Sequence, residues 1–473
     1  MSSDPQPSSQ PSSRNPVFIG PPGPAAQAGF HGWFAPAAGS ASPTGPTDPG
    51  AQAGPADPGA QSGPADPGAQ SGPTGPTAQA GSPGRPVPDA PGPADPGRGR
   101  RSPARRVVRR AIGWAVVALI GVLALLTLFP DLLGFASDSA RLSVVYPFAQ
   151  LVALRSGLVV GFGLMALVTG ASALIRILRR EGGRRTAAAA LVLLIAAVGH
   201  AWVLCSRGLG NDESSPAALA PAGSISADPA DWDGGLTVFS FNTHYSEAHK
   251  VELAVAIRRA AAEVVVLPET SAEYGQAIAD LLVQDGLRYT VFSAGDQKDA
   301  ADPTTVLVSA VIGDYEQAQA PAGAGHGAVL LRPAGEAELN GHRRPTILGV
   351  HTHAPVPGSM EEWLASVEAV VGQCRGGADG AGPAPEPGLV VAGDFNATLD
   401  HAPMKDLGGC ADAGLEVGIG GVSTWPTSSH TTLLGSPIDH VLADSTAWRA
   451  RSASVLTLSG SDHRALVVEL AAA

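Results

Sequence analysis

Three long, predominantly apolar runs stand in the middle of the chain, at Ala111–Phe129, at about Gly157 to Ile175 and at about Thr186 to Cys205. Each is long enough to cross a bilayer as a helix. Helices buried inside a soluble protein are the competing reading, but all three runs have arginine at their flanks. The first run begins too deep in the chain, and is too long, for a secretory leader. After Cys205 the pattern changes to short apolar, β-branched runs: LTVFSF, EVVVLPE, TTVLVSAVI, TILGVHTH, GLVVAGDF, IDHVLA and ALVVEL. They read as strands. Between them KVELAVAIRRAAA, SAEYGQAIADLLVQ and MEEWLASVEAVVGQC have helical spacing. Strands alternating with helices predict an α/β domain with buried sheets over residues 235–473.

Residues 1–97 have neither pattern. They are rich in Gly, Pro, Ala and Ser, with DPGAQ recurring from Asp48, Asp57 and Asp66. No strict Gly-X-Y period marks a collagen, and too few apolar residues are present to offset chain entropy, so a disordered tail is expected. Residues 98–110 form a basic segment holding seven arginines. Five more, Arg176, Arg179, Arg180, Arg184 and Arg185, lie between the second and third runs. An excess of arginine marks the cytoplasmic side. A three-helix transmembrane region (111–205) would therefore leave the tail in the cytoplasm and everything after Cys205 outside. The Pro/Ala/Ser-rich stretch 206–234 reads as a linker.

Charge is segregated in the same way. The chain carries −12 overall, but from Asp231 onward 30 Asp and Glu face 13 Lys and Arg, or −17. Such a domain lacks the basic footprint needed to track a long polyanion. One phosphate can still be received where a metal ion supplies the positive charge. Cys374 and Cys410 can pair in an oxidising compartment; buried or free thiols remain equally open on the sequence.

The candidate chemistry sits at strand ends. FNTH (Phe241–His244), the lone Glu269 of VVVLPET and HTH (His351–His353) come first. GDFNAT (Gly393–Thr398), IDHV (Ile438–Val441) and SDHR (Ser461–Arg464) follow. In order and type these strings resemble the endonuclease/exonuclease/phosphatase superfamily over about Leu236 to Leu470. The resemblance implies two packed mixed β-sheets flanked by helices, a four-layer sandwich, and hydrolysis of phosphate esters. It implies Mg²⁺, with Mn²⁺ as the alternative, held by Glu269 with Asn242 and Asp462 nearby; hard cations favour oxygen donors. It also implies that Asp394 orients or deprotonates the attacking water and that Asn396 donates to a phosphate oxygen. Asp394 and Asn396 would face one side if the strand continued through them. Asp439 and His463 read as a carboxylate–imidazole pair, with His463 either general base or imidazolium. Of His351 and His353, which share a strand face, His351 is favoured as the phosphate contact. His440 points the other way and reads as structural. His244 reads as a surface residue, and Trp425 as core rather than pocket wall.

Read together, these features predict a membrane-tethered phosphoesterase outside the cytoplasmic membrane, whose partners are a phosphate-ester substrate and the lipid bilayer. The alternatives are an extracytoplasmic nuclease acting on DNA, disfavoured by the acidity, and a non-catalytic binding module that keeps the fold. No protein partner is evident.

Overall fold

The computed structural model describes residues 103–135, 137, 140–210, 228–376, 384–428 and 431–473. The expected tail and most of the expected linker lie outside them. Three long helices carry the apolar runs: α1 (Pro103–Leu128), then, after the short α2 (Phe148–Ala153), α3 (Arg155–Leu178) and α4 (Arg184–Arg207). All three are long and apolar enough to cross a membrane, α1 from Val107 onward. Leu167 and Trp202 are 68% and 70% exposed, an apolar surface suited to lipid. The helices outrun the apolar stretches. α1 starts at Pro103, a residue favoured at a first helical position, and carries the basic segment's Arg105, Arg109 and Arg110 as helix. Arginine is a good helix former, so polarity marks where an apolar run stops and not where the helix does.

The following domain alternates as expected. In order come β1 (Leu236–Ser240), α5 (Lys250–Ala260), β2 (Val264–Pro268), α6 (Ala272–Val283), β3 (Tyr289–Ala294), β4 (Thr304–Ser309), β5 (Tyr315–Ala318) and β6 (His326–Pro333). The small hairpin β7 (Glu338–Leu339) and β8 (His342–Arg343) precedes β9 (Thr346–His351), α7 (Met360–Gly372), β10 (Leu389–Asp394) and β11 (Cys410–Asp412). α8 (Ala413–Glu416), β12 (Asp439–Asp444), β13 (Trp448–Thr457) and β14 (Arg464–Ala472) complete it. Two mixed six-stranded sheets result, ordered β13-β14-β1-β2-β4-β3 and β11-β12-β10-β9-β6-β5.

Alternation along the strands builds the layers. Val264 and Val266 of β2 pack with Val306, Ile347, Val390 and Val441 between the sheets, whereas Val265 and Leu267 pack outward against α5 and α6 through Leu253, Ile257, Ile278 and Leu282. Leu348, Val350 and Val391 meet Trp363, Val367 and Val370 of α7 on the far side. Helix, sheet, sheet and helix form the expected four-layer sandwich. The strands are apolar on both faces because both are covered.

Register then gathers the polar ends. Asp394 pairs with His351 across the parallel β9–β10 ladder and with Asp439 across the antiparallel β10–β12 ladder. In the other sheet β1 and β2 run parallel and end just before Asn242 and Glu269, while β14 starts just after His463. The motif residues of both sheets thus stand at one end of the sandwich.

Cys374, just past α7, and Cys410, opening β11, are joined by a disulfide spanning 36 positions.

Candidate functional site

The chain turns sharply as it leaves each strand. His244, Tyr245 and Ser246 have φ of 50°, 59° and 62°, Glu269 has 52° and Asn396 has 44°. Left-handed backbone costs a side-chain-bearing residue about 1–3 kcal/mol and persists only where surroundings enforce it. Here backbone bonds do so: Ser246 N–H donates to the Glu269 carbonyl at 2.9 Å and Thr243 N–H to that of Pro268 at 3.1 Å. Gly393 meets a harder constraint. A Cβ there would stand 1.9 Å from the Val350 carbonyl oxygen, at φ +144°, so only glycine lets β10 lie against β9 at this point.

Asn242 sits at the centre. Its Nδ2 donates to Glu269 Oε1 (2.9 Å) and Asp394 Oδ2 (3.2 Å). Glu269 Oε2 accepts from Tyr245 N–H at 3.1 Å. His463 lies between two carboxylates, Nδ1–H donating to Asp439 Oδ2 at 2.9 Å and Nε2 standing 3.6 Å from Asp394 Oδ2. His351 Nδ1–H donates to the Ala301 carbonyl (3.2 Å), which leaves Nε2 facing Glu269 Oε1 and Asp394 Oδ2, each at 3.8 Å. Asp462 stands at the rim, bonded through Oδ1 to His244 Nδ1 (3.2 Å) and through Oδ2 to Trp425 Nε1–H (2.9 Å).

The strand does not continue through Asn396. β10 ends at Asp394, whose Oδ1 accepts from Asn396 N–H at 2.8 Å, closing a turn. The short polar side chain competes with the ladder for the backbone donor. Asn396 is held instead by Nδ2 donating to the Thr352 carbonyl (2.9 Å), which leaves its second amide hydrogen for other partners.

Of the two candidate histidines, His351 enters the carboxylate cluster. His353 joins a separate chain at its edge, Nδ1 3.1 Å from His326 Nε2, with His326 Nδ1 3.0 Å from Asp302 Oδ1. His326 and Asp302 escaped the sequence reading. His326 lies in the glycine-rich stretch ahead of the apolar run Ala328–Leu331, and its nearness to His351 (ring centroids 4.9 Å apart) marks it. His440 turns away to Asp412 (2.7 Å) and the Ala397 carbonyl (3.0 Å). His244 is half-buried against Asp462, and Trp425 is a core side chain whose indole N–H orients that same carboxylate.

Electrostatics follow from crowding in a dry place. Burial pushes the carboxyls of Glu269 and Asp394 above the usual range; nearby Asp462 adds to the first and Asp439 to the second. Burial opposes charge on His463, but Asp439 and Asp394 outweigh it and hold the imidazole well above its ordinary value. Burial, then the neighbouring His326 and His463, hold His351 well below its ordinary value, as a neutral ring.

These donors suit a hard divalent cation. The neutral imidazole nitrogen of His351 and one oxygen each of Glu269 and Asp394 converge here, with the Asn242 amide bridging the two carboxylates. Asp394, Asp439 and His463 also bring ligand atoms within 4.8 Å of one another. In that second group both imidazole nitrogens already face carboxylates, and a doubly protonated ring offers no lone pair. Glu269 and Asp462, with side chains 14% and 28% exposed, are the more open pair, as an ion that keeps part of its water shell requires.

Residues 239–463 match the Endonuclease/Exonuclease/phosphatase family. Among solved structures the chain is similar to an endonuclease/exonuclease/phosphatase from Beutenbergia cavernae (17% identity, 51% of this chain and 72% of that one, TM-score 0.38). It is also similar to the human Nocturnin catalytic domain with bound sulfate (18%, 51% and 94%, TM-score 0.37). A third is a family protein from Bacteroides thetaiotaomicron (16%, 50% and 97%, TM-score 0.38). No curated protein matches the chain.

Proposed function

Residues 239–463 form an Endonuclease/Exonuclease/phosphatase family domain, and from that premise we propose a divalent-metal-dependent hydrolase of phosphate esters, held by α1, α3 and α4 on the outer face of a membrane. Members of the family hydrolyse phosphate ester bonds. The observation that carries the reading is the meeting of Glu269, Asn242, Asp394 and His463–Asp439 at the shared end of both sheets. Glu269, with Asn242 and Asp462, would hold Mg²⁺ or Mn²⁺. When bound, the ion supplies positive charge against the phosphate oxygens. Asp394, raised by burial, takes the proton of the attacking water as its oxygen bonds to phosphorus and the ester oxygen leaves. His463, kept protonated by Asp439, offers its charge to the phosphoryl oxygens, and the second amide hydrogen of Asn396 donates to one of them. His351 lines the same pocket. The outward placement is supported by the arginine asymmetry and by the Cys374–Cys410 disulfide, a bond that persists outside the reducing cytosol. Acidity and tethering favour small or lipid-borne phosphate esters over DNA.

The test is turnover by the full chain in lipid nanodiscs, with Mg²⁺, of bis(p-nitrophenyl) phosphate, p-nitrophenyl phosphate, a phosphocholine lipid and plasmid DNA. Hydrolysis of at least one, abolished by chelator and lowered about 10²–10³-fold by His463→Ala, is expected. Turnover that survives both treatments would refute the assignment.

A further inference from the structure

Asp400 lies six positions past Asp394, in the segment that leaves the site, and is buried. Both of its oxygens are gripped by arginines of the apolar helices. Arg155, the first residue of α3, donates Nε–H to Oδ2 at 2.9 Å and Nη2–H to Oδ1. Arg207, the last residue of α4, donates Nη1–H to Oδ2 and Nη2–H to Oδ1, both at 2.8 Å. Arg155 Nη1 also reaches His200 Nδ1 (2.9 Å), whose Nε2 lies 3.3 Å from Thr127 Oγ1 of α1. One carboxylate therefore ties three helices to one catalytic loop.

The surrounding contacts repeat the arrangement. His401 accepts from Thr398 N–H at Nδ1 (2.8 Å) and donates from Nε2 to the Ala149 carbonyl (3.1 Å). Ala402 N–H donates to Ser143 Oγ at 3.0 Å. Just ahead of the strand that carries Asp439, Ser436 Oγ donates to the Ala153 carbonyl (2.8 Å), three residues before that aspartate. Two of the three site-bearing segments of the second sheet, the one after β10 and the one before β12, thus rest on the helical region around α2. A simple tether needs none of this. Two fork-shaped guanidinium groups on one carboxylate fix its direction as well as its position. Burying such charges returns little net stability, and their better-attested use is to set register.

We propose that Asp400 is a positioning residue through which α3 and α4 hold the Asp394–Asn396 turn, so that the apolar helices are part of the active-site scaffold. This rests on the phosphoesterase reading for its kinetic consequence only; the clamp itself is testable without activity.

The experiment is hydrogen exchange of the full chain in nanodiscs, comparing wild type, Asp400→Asn and Asp400→Glu. Kinetics on bis(p-nitrophenyl) phosphate and Mn²⁺ titration accompany it. Asp400→Asn is expected to speed exchange about 10-fold or more in peptides over 394–404 while β2 and β4 stay protected. It should lower kcat about 10- to 100-fold with Mn²⁺ affinity nearly unchanged, and Asp400→Glu should recover part of both. Unchanged exchange over 394–404 overturns the proposal. If Asp400→Asn loosens the whole domain, Arg207→Gln, which leaves one guanidinium in place, decides by the same local comparison: a rise confined to 394–404 supports the clamp and none refutes it. Wild type without turnover would count against the phosphoesterase reading, while exchange would still decide the clamp.

Discussion

Asp439 and His463 show how much a single contact decides. Their 2.9 Å bond fixes which ring nitrogen carries a proton toward the carboxylate and keeps the imidazole charged in a dry pocket. Asp439→Asn should keep the shape and lose this bias, lowering kcat about 10²–10⁴-fold with little change in melting temperature, as steady-state rates and calorimetry would show. Away from the site, Glu263 accepts from Thr237 N–H at 2.6 Å, and burial, then nearby Asp233, raise its carboxyl to about 7. Its folded value lies above its unfolded one, so the folded chain holds the proton longer, and stability falls as pH rises from about 4.5 to about 7. Glu263→Gln keeps an acceptor for Thr237 and removes the penalty. Its melting temperature should exceed wild type by about 2–4 °C at pH 8 and match it at pH 4. Residues of this kind divide by legibility. Glu269, Asp394, Asp439 and His463 could be read because each follows or opens an apolar run. His326, Asp302 and Asp400 could not, because only folding brings them to their partners.

At the scale of elements, the strands read from sequence were those buried on both faces, such as β2, β4 and β10, where the apolar run is continuous. β13 escaped: WRARSASVLT alternates poorly, and its exposed positions reflect an edge strand with one neighbour, β14. β6 opens with His-Gly-Ala and carries a register shift between His326 and Val329, so no regular alternation exists to read. The disulfide acts at this scale, tying the end of α7 to β11, an edge strand of the sheet that α7 covers. Loop-closure entropy for 36 residues corresponds to about 4 kcal/mol. Reduction, or Cys374→Ser with Cys410→Ser, should lower the melting temperature by about 10 °C. An unchanged melting curve would mean that the bond constrains nothing the unfolded chain explores.

At the scale of the whole molecule, an acidic domain of −17 is set on helices whose ends are rich in arginine. The expected arrangement puts the domain outside and the Arg176–Arg185 loop inside. With Cys205 replaced by Ser, a membrane-impermeant maleimide on intact cells should label Glu316→Cys and spare Glu181→Cys; the opposite pattern would invert the topology. The most direct measurement of the central claim is the initial rate of bis(p-nitrophenyl) phosphate hydrolysis by the full chain in nanodiscs across a Mg²⁺ titration, for wild type and Glu269→Gln. A saturating rise whose midpoint moves about 10-fold or more to higher Mg²⁺ in the variant is expected. A rate indifferent to Mg²⁺, or a variant curve that overlays wild type, would contradict a metal-dependent hydrolase built on Glu269.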